Sequence, residues 1–191
     1  RRHCKNESCS SNVYRSFQRG LYGRNRKQSY SHLTFDYRKY MKTGVLIVNL
    51  GTPDSPKTSD VRKYLSEFLN DPRVIDIHPI ARMLLVNLII VPFRSSKSAK
   101  LYKEIWREDG KSPLLHYSER QLELFSKLMG DKYDVQMAMR YQSPSLDIAL
   151  DHYKKQFYKK IIVFPLFPQY ASASTGSVQE KVMNVVSKWE I

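Results

Sequence analysis

Three short apolar runs, separated by longer segments with helical periodicity, constrain the fold of this 191-residue chain more than any other feature of its sequence. The runs are "GVLIVNLG" at 44–51, "YDVQMAMRY" at 133–141 and "KKIIVFPL" at 159–166. A continuous apolar run such as the first is typical of a strand buried on both faces of a sheet. Because the predicted strands alternate with helices, the pattern predicts an α/β fold with a parallel, doubly wound sheet.

The segments between the runs carry helical signals. After the first run, apolar residues recur at i, i+3, i+4, i+7 and i+8, which indicates a helix. They are Val61, Tyr64, Leu65, Phe68 and Leu69. Short helices are then expected as far as Trp106. Ser112 and Ser143 each precede a proline, and a capping hydroxyl before a proline predicts helices that begin there and end near residues 129 and 157.

The predicted strands end in polar and small residues at 49–53, 140–144 and 168–170. In a doubly wound sheet, ligands bind outside the carboxyl ends of the strands. The three loops are therefore expected to converge on one rim and to share a ligand.

The last of these loops, "PLFPQYASASTGSVQEK" at 165–181, allows two interpretations. Ser177 and Glu180 have the spacing of a capping box, which favours a plain turn into a helix. A Ser/Thr/Gly loop at a helix N-terminus can also hold an anion. The loop lacks the lysine and the glycine spacing of a nucleotide-binding loop.

The positive charge is concentrated at the N-terminus. Residues 1–40 contain ten Lys or Arg and two acidic residues, a net charge of +8, which leaves +6 of the total +14 to the other 151 residues. This segment lacks apolar periodicity, so we expect a disordered basic extension followed by one α/β domain at 41–191. It has three interpretations: sequence upstream of a natural start at Met41, an organelle-targeting segment, or a basic arm that binds an anionic partner. Its cysteines, Cys4 and Cys9, do not make a metal site.

The cysteine-free remainder fits a reducing, cytoplasmic compartment. The longest apolar stretch, 83–93, is shorter than a bilayer-spanning helix requires and is interrupted by Asn87. It suits either a buried helix or an apolar lip that rests on a membrane surface.

Five motifs occur together in a recognisable order: "GVLIVNLGTPDSP", "EFLNDPRVIDIHP", "KSPLLHYSERQ", "MRYQSPS" and "PLFPQYASASTGS". Together they resemble the ferrochelatase family over residues 41–191. The resemblance implies a type II chelatase fold, with this chain as the first of two similar α/β halves. It also implies the ATP-independent insertion of ferrous iron into protoporphyrin IX in heme biosynthesis.

The resemblance also sets limits. Family members carry the catalytic histidine and its acidic partner in the C-terminal half, so both are expected beyond Ile191. No catalytic residue or metal ligand is therefore expected in this chain, which alone should be inactive. Iron is a substrate, and no resident cofactor is required. Some relatives bind an iron–sulfur cluster through a cysteine in the third-strand loop, where this chain has Ser172, so no cluster is expected.

By the same resemblance, three donors correspond to porphyrin-binding positions: Arg94, Tyr102 and Ser112. The corresponding cleft-lining positions are Leu50, Leu65, Phe68, Leu69, Arg140, Tyr141 and Tyr170. Each of these residues also has an interpretation that does not involve porphyrin: a charge in solvent, an aromatic ring on a helix face, an N-cap, or an apolar residue of the core. Leu50 replaces a tyrosine that faces the metal in some relatives, which favours protoporphyrin over a porphyrin with extra propionates.

Two other functions remain open. A tetrapyrrole- or anion-binding module of the same fold would keep the three donors without catalysis. A nucleic-acid or membrane-surface binder would depend on the basic arm and would be sensitive to salt. We expect porphyrin and iron as partners, and no nucleic acid.

Overall fold

The computed structural model describes residues 42–156 and 158–189, so the predicted basic extension at 1–40 and the last residue of the predicted domain, Ile191, lie outside the described residues. Three parallel strands form one sheet in the order β2–β1–β3. They are β1 at Thr43–Gly51, β2 at Tyr133–Tyr141 and β3 at Lys160–Pro165. The predicted parallel sheet is confirmed.

In the described residues, α-helices lie between the strands and after the last strand. They are α1 at Thr58–Leu69, α2 at Pro79–Leu84, α3 at Val91–Ile105, α4 at Pro113–Met129, α5 at Leu146–Gln156 and α6 at Ser177–Val186. Two π-helical turns, Leu85–Ile90 and Ser172–Gly176, join α2 to α3 and lead into α6.

Both faces of the sheet are covered, because successive side chains of β1 point to opposite sides. Leu46 and Val48 pack in one cluster with Leu150 of α5 and Val178 of α6. Ile47 packs on the other face, in a cluster with two methionines of β2 and three apolar residues of α4. The sheet is therefore doubly wound, as predicted.

Local signals placed two helices correctly. α1 buries Val61, Tyr64 and Leu65, which belong to the predicted apolar stripe. α4 begins at Pro113, and the Ser112 hydroxyl accepts a hydrogen bond from the Leu115 amide at 3.2 Å. This is the N-cap geometry that the Ser-Pro pair predicted.

The other Ser-Pro pair does not start its helix, and this prediction was wrong. The Pro144 carbonyl accepts a hydrogen bond from the Met139 amide at 2.6 Å, and Ser145 forms a parallel bridge with Met139. This pairing holds Pro144 and Ser145 against β2 and outside the helix. α5 therefore begins at Leu146, and the Ser145 hydroxyl accepts from the Ile148 amide at 3.4 Å.

The short helices expected before Trp106 are one continuous helical stretch of 27 residues, Pro79–Ile105. A proline normally ends a helix, but Pro92 lies just after the π-helical turn. The Val91 amide donates to the Val86 carbonyl, five residues back, and this wider turn accommodates the ring.

The helical stretch Pro79–Ile105 extends beyond the apolar run 83–93 at both ends. Its length and mean hydropathy are those of a helix that could cross a membrane. The expectation that this part of the chain is too short to do so was therefore wrong by these two measures. One side of it packs on the domain, because Val86, Val91 and Ala99 are buried in a cluster with α1. The Asn87 side chain also accepts from the Ser66 hydroxyl at 2.7 Å, and this bond ties the stretch to α1.

Candidate functional site

The carboxyl ends of the three strands meet at one rim, as predicted. β2 and β3 lie on opposite sides of β1, so the connection from β1 to β2 and the connection from β2 to β3 run in opposite directions across the sheet. A doubly wound sheet has its ligand crevice at such a point. The residues around this crevice form a buried polar network and, beside it, an apolar wall.

Asp71, in the loop after α1, is the centre of a buried polar network, with 3% of its side chain exposed. Its Oδ2 atom accepts hydrogen bonds from Arg140 Nη2 at 2.6 Å, Ser177 Oγ at 2.6 Å and the Tyr141 hydroxyl at 2.9 Å. Its Oδ1 atom accepts from the Arg73 amide at 2.7 Å. One carboxylate therefore joins the α1 loop, the end of β2 and the start of α6.

This carboxylate is held in its ionised form. Burial alone would raise the pKa of Asp71, but the hydrogen bonds from Ser177, the Arg73 amide and Tyr141 and the charge of Arg140 outweigh it and lower that pKa. Asp71 and Arg140 form a buried ion pair.

The Arg140 guanidinium is fixed in orientation by its neighbours. Its Nε atom donates to Ser177 Oγ at 2.7 Å and to the Ser177 carbonyl at 3.2 Å, while Nη2 binds Asp71. The guanidinium carbon lies 4.5 Å from the centre of the Tyr141 ring. Within the described residues, Nη1 makes no hydrogen bond to protein.

The small-residue loop before α6 supplies part of this network. Ser177 does not form the predicted capping box, because its hydroxyl binds Asp71 and Glu180 pairs with Arg73 at 2.6 Å. That prediction was wrong. The anion at the start of α6 is the carboxylate of Asp71.

An apolar wall lies beside the polar network and contains most of the predicted cleft residues. Leu50, Leu65, Phe68, Leu69, Tyr102 and Tyr141 all belong to one packed cluster. The Phe68 and Tyr141 rings meet edge to face at 5.2 Å, and Tyr64 contacts both Phe68 and Tyr102. Leu65 is buried as core, whereas Leu50, Phe68 and Leu69 are half-buried and keep some surface free.

The three predicted porphyrin donors differ in their surroundings. Arg94 is exposed on α3, and Tyr102 lies about 80° around and about 12 Å along the same helix, packed against Tyr64. Ser112 is 2% exposed and caps α4. Tyr170 is 68% exposed, at the third strand exit. Their role in porphyrin binding stays a prediction.

Two of the described histidines have acidic neighbours. His116 pairs with Asp109 at 2.7 Å, and His152 pairs with Asp134 at 2.8 Å. Within 42–156 and 158–189, no group of three or more His, Cys, Asp or Glu side chains is arranged to hold a metal ion. The catalytic histidine and acidic residue expected beyond Ile191 fall outside the described residues, so their placement stays a prediction.

Sequence reasoning missed Asp71 and the residues that support the second strand exit. Gln142 has a φ of 64°, and its amide and side-chain nitrogens both donate to the Glu67 carboxylate. The Oγ1 atom of Thr52 and the Oε1 atom of Gln142 are buried without a partner in the described part of the chain. The only signal for Asp71 was its place in the motif "EFLNDPRVIDIHP".

Comparisons with known proteins all point to one family. The family model described as Ferrochelatase matches residues 42–191. The ferrochelatase of Coxiella burnetii (strain RSA 493 / Nine Mile phase I) is 48% identical over 141 residues, which are 74% of this chain and 40% of that protein. The ferrochelatase of Francisella tularensis subsp. tularensis (strain WY96-3418) is 43% identical over 151 residues, which are 78% of this chain and 45% of that protein. The chain spans less than half the length of these curated relatives.

Proposed function

Since this chain belongs to the ferrochelatase family, we propose that it forms the N-terminal part of an enzyme that inserts ferrous iron into protoporphyrin IX. The observation that carries the proposal is the family match over residues 42–191, which covers every described strand and helix. The enzyme acts without ATP, and iron and porphyrin are its substrates.

The described residues would supply the binding wall for the porphyrin. A porphyrin is a flat apolar ring with carboxylate side chains, so its site needs an apolar surface and fixed donors. The half-buried Leu50, Phe68 and Leu69 at the rim offer such a surface. Leu50 has no atom that ligates iron, which supports a role in packing against the ring.

The proposed donors for the propionates are Arg94, Ser112 and Tyr102. No carboxylate pairs with Arg94 in the described part of the chain, so its guanidinium is free to bind a propionate. The Ser112 hydroxyl accepts from the Leu115 amide, which leaves its hydrogen to donate to a carboxylate. Tyr102 is half-buried, and burial raises the pKa of its hydroxyl, so it remains a neutral donor at neutral pH.

In this mechanism, the N-terminal part orients the porphyrin and excludes water from one of its faces. The base that removes the pyrrole protons and its acidic partner are expected beyond Ile191. Arg140, on the cleft wall and backed by the buried Tyr141 ring, would limit how the ring can tilt when iron enters.

Iron insertion tests the proposal directly. The full-length protein should consume Fe²⁺ and porphyrin, seen as loss of porphyrin fluorescence, whereas the 191-residue chain should not exceed the rate without protein. A full-length protein that binds porphyrin but inserts no iron would contradict the proposal and favour the non-enzymatic tetrapyrrole-binding module.

We propose in addition that the protein is cytoplasmic and contacts a membrane peripherally through the apolar lip at 83–93. Leu88 is 66% exposed and Phe93 80% exposed, and both lie on the continuous helical stretch. Replacing Leu88 and Phe93 with lysine should reduce the fraction of the protein that co-sediments with phospholipid vesicles. Leu128→Lys is a matched control, because Leu128 is 81% exposed but lies on α4. An equal loss in the control would contradict this proposal.

A further inference from the structure

Arg140 needs an external constraint to serve as a fixed donor. An arginine side chain has about 2 kcal/mol of rotamer entropy, and at the end of a strand it would otherwise sample several directions. In this protein its side chain is 14% exposed, and two of its three guanidinium nitrogens are bound within the protein. The plane of the guanidinium is therefore fixed, and Nη1 remains for a ligand.

The constraint originates at Asp71. Ser177 binds Arg140 Nε, but the Ser177 hydroxyl is itself oriented by donating to Asp71. The Tyr141 hydroxyl also donates to Asp71, so the ring under the guanidinium is held by the same oxygen atom. Asp71 is fixed in turn by the Arg73 amide.

The network is also balanced in charge. Asp71 neutralises Arg140, so the guanidinium acts toward a ligand as a directed donor more than as a net charge. A single carboxylate oxygen thus determines the orientation of the Arg140 and Tyr141 side chains at the rim.

We propose that Asp71 is a positioning residue that acts through Arg140: with Ser177 and the buried Tyr141 ring, it holds Arg140 in the orientation that the porphyrin meets. The proposal rests on the proposed function. It assigns Asp71 no contact with substrate.

The test is a double-mutant cycle in the full-length protein. Asp71→Asn should lower kcat/KM for porphyrin at least tenfold, and Arg140→Leu should lower it by a similar factor. Because Asp71 acts through Arg140, adding Asp71→Asn to Arg140→Leu should lower kcat/KM by no more than a further twofold. Independent, multiplicative losses would overturn the proposal, as would full activity of Asp71→Asn.

A matched control separates positioning from stability. Asp134 is another partly buried carboxylate, which accepts from Gln136 and Tyr158 and pairs with His152 at the amino end of the sheet. Asp134→Asn should lower the thermal midpoint but leave kcat/KM unchanged. If it does not fold, Glu123→Gln, on the exposed side of α4, replaces it. Equal activity losses in Asp71→Asn and in the control would overturn the proposal.

A second readout does not depend on activity. The Nε proton of Arg140, which is bonded to Ser177, should exchange slowly with solvent in the wild type and in Asp134→Asn, and rapidly in Asp71→Asn. Unchanged protection in Asp71→Asn would overturn the positioning role even if the wild type inserts no iron. An inactive wild type with the expected exchange pattern would instead refute only the proposed function.

Discussion

Replacing Gly51 with alanine should be among the most destabilising single changes at the rim. Gly51 ends β1 with a φ of 116°, a conformation that residues with a Cβ rarely adopt. A Cβ atom there would lie 2.1 Å from the Tyr141 carbonyl oxygen. Because Tyr141 pairs with Gly51 in the sheet, the obstacle is backbone that cannot swing away.

Two costs add at this position. The strained φ costs about 1–3 kcal/mol, and overpacking against a fixed neighbour costs about 1–3 kcal/mol more. The expected loss is therefore about 2–6 kcal/mol, a large part of the 5–15 kcal/mol of a typical domain.

Two other glycines separate these costs. Gly130 has a φ of 66° but no atom within 4 Å of an added Cβ, so Gly130→Ala should show only the backbone cost, about 1–2 kcal/mol. At Gly44, with no positive φ, an added Cβ would lie 2.6 Å from the Tyr153 ring, so Gly44→Ala should show the overpacking cost, about 1–3 kcal/mol.

Urea unfolding of the 191-residue chain, followed by far-UV circular dichroism, measures all three variants under one condition. Gly51→Ala should lose at least about 1 kcal/mol more than Gly130→Ala. Equal losses in the two variants would refute the close contact between the ends of β1 and β2. If Gly51→Ala no longer unfolds cooperatively in urea, its loss of stability exceeds the losses of the other two variants.

Three further predictions concern the core, the rim and the porphyrin donors. Tyr153→Phe should lower the free energy of unfolding by about 1–2 kcal/mol. The buried Tyr153 hydroxyl donates to the carbonyls of Val45 and Asp134, at 2.9 and 3.1 Å, and phenylalanine cannot. An unchanged midpoint of urea unfolding would contradict these bonds. The lowered pKa of Asp71 stabilises the fold above the unfolded-state pKa of about 3.9, and this contribution is lost as the pH falls through the lower folded-state value. The stability of Asp71→Asn, measured by urea unfolding between pH 6 and 3, should therefore depend less on pH than that of the wild type, and parallel curves would refute this. If the proposed function holds, Arg94→Leu in the full-length protein should raise KM for porphyrin about tenfold and KM for its methyl ester much less, with Arg94→Lys in between. Equal effects on both substrates would remove Arg94 from the site.

Local signals in the sequence were enough for much of the fold. β2 and α4 begin and end where the apolar run and the Ser-Pro cap placed them. α5 begins later than predicted, because the Met139 amide donates to the Pro144 carbonyl five residues later, a backbone bond that the Ser-Pro capping pattern does not indicate.

The site was harder to predict, because its contacts are long-range. The side-chain partners of Asp71 lie 69 to 106 residues away along the chain, so its role depends on how three segments meet. The resemblance located Arg140 and Tyr141, but nothing in one sequence distinguishes a buried aspartate that orients them from an aspartate in a turn.

The π-helical turn Leu85–Ile90 also absorbs one extra residue, because its hydrogen bond spans five residues where an α-helix spans four. A relative that lacked one residue here would have an ordinary α-helix, and the segments before and after the deletion would keep their relative orientation. Val91 and Ala99 would then stay in the cluster with α1, and Arg94 would keep its direction. A one-residue gap placed in this turn when sequences are aligned is therefore compatible with the same geometry, and positions on its two sides remain equivalent.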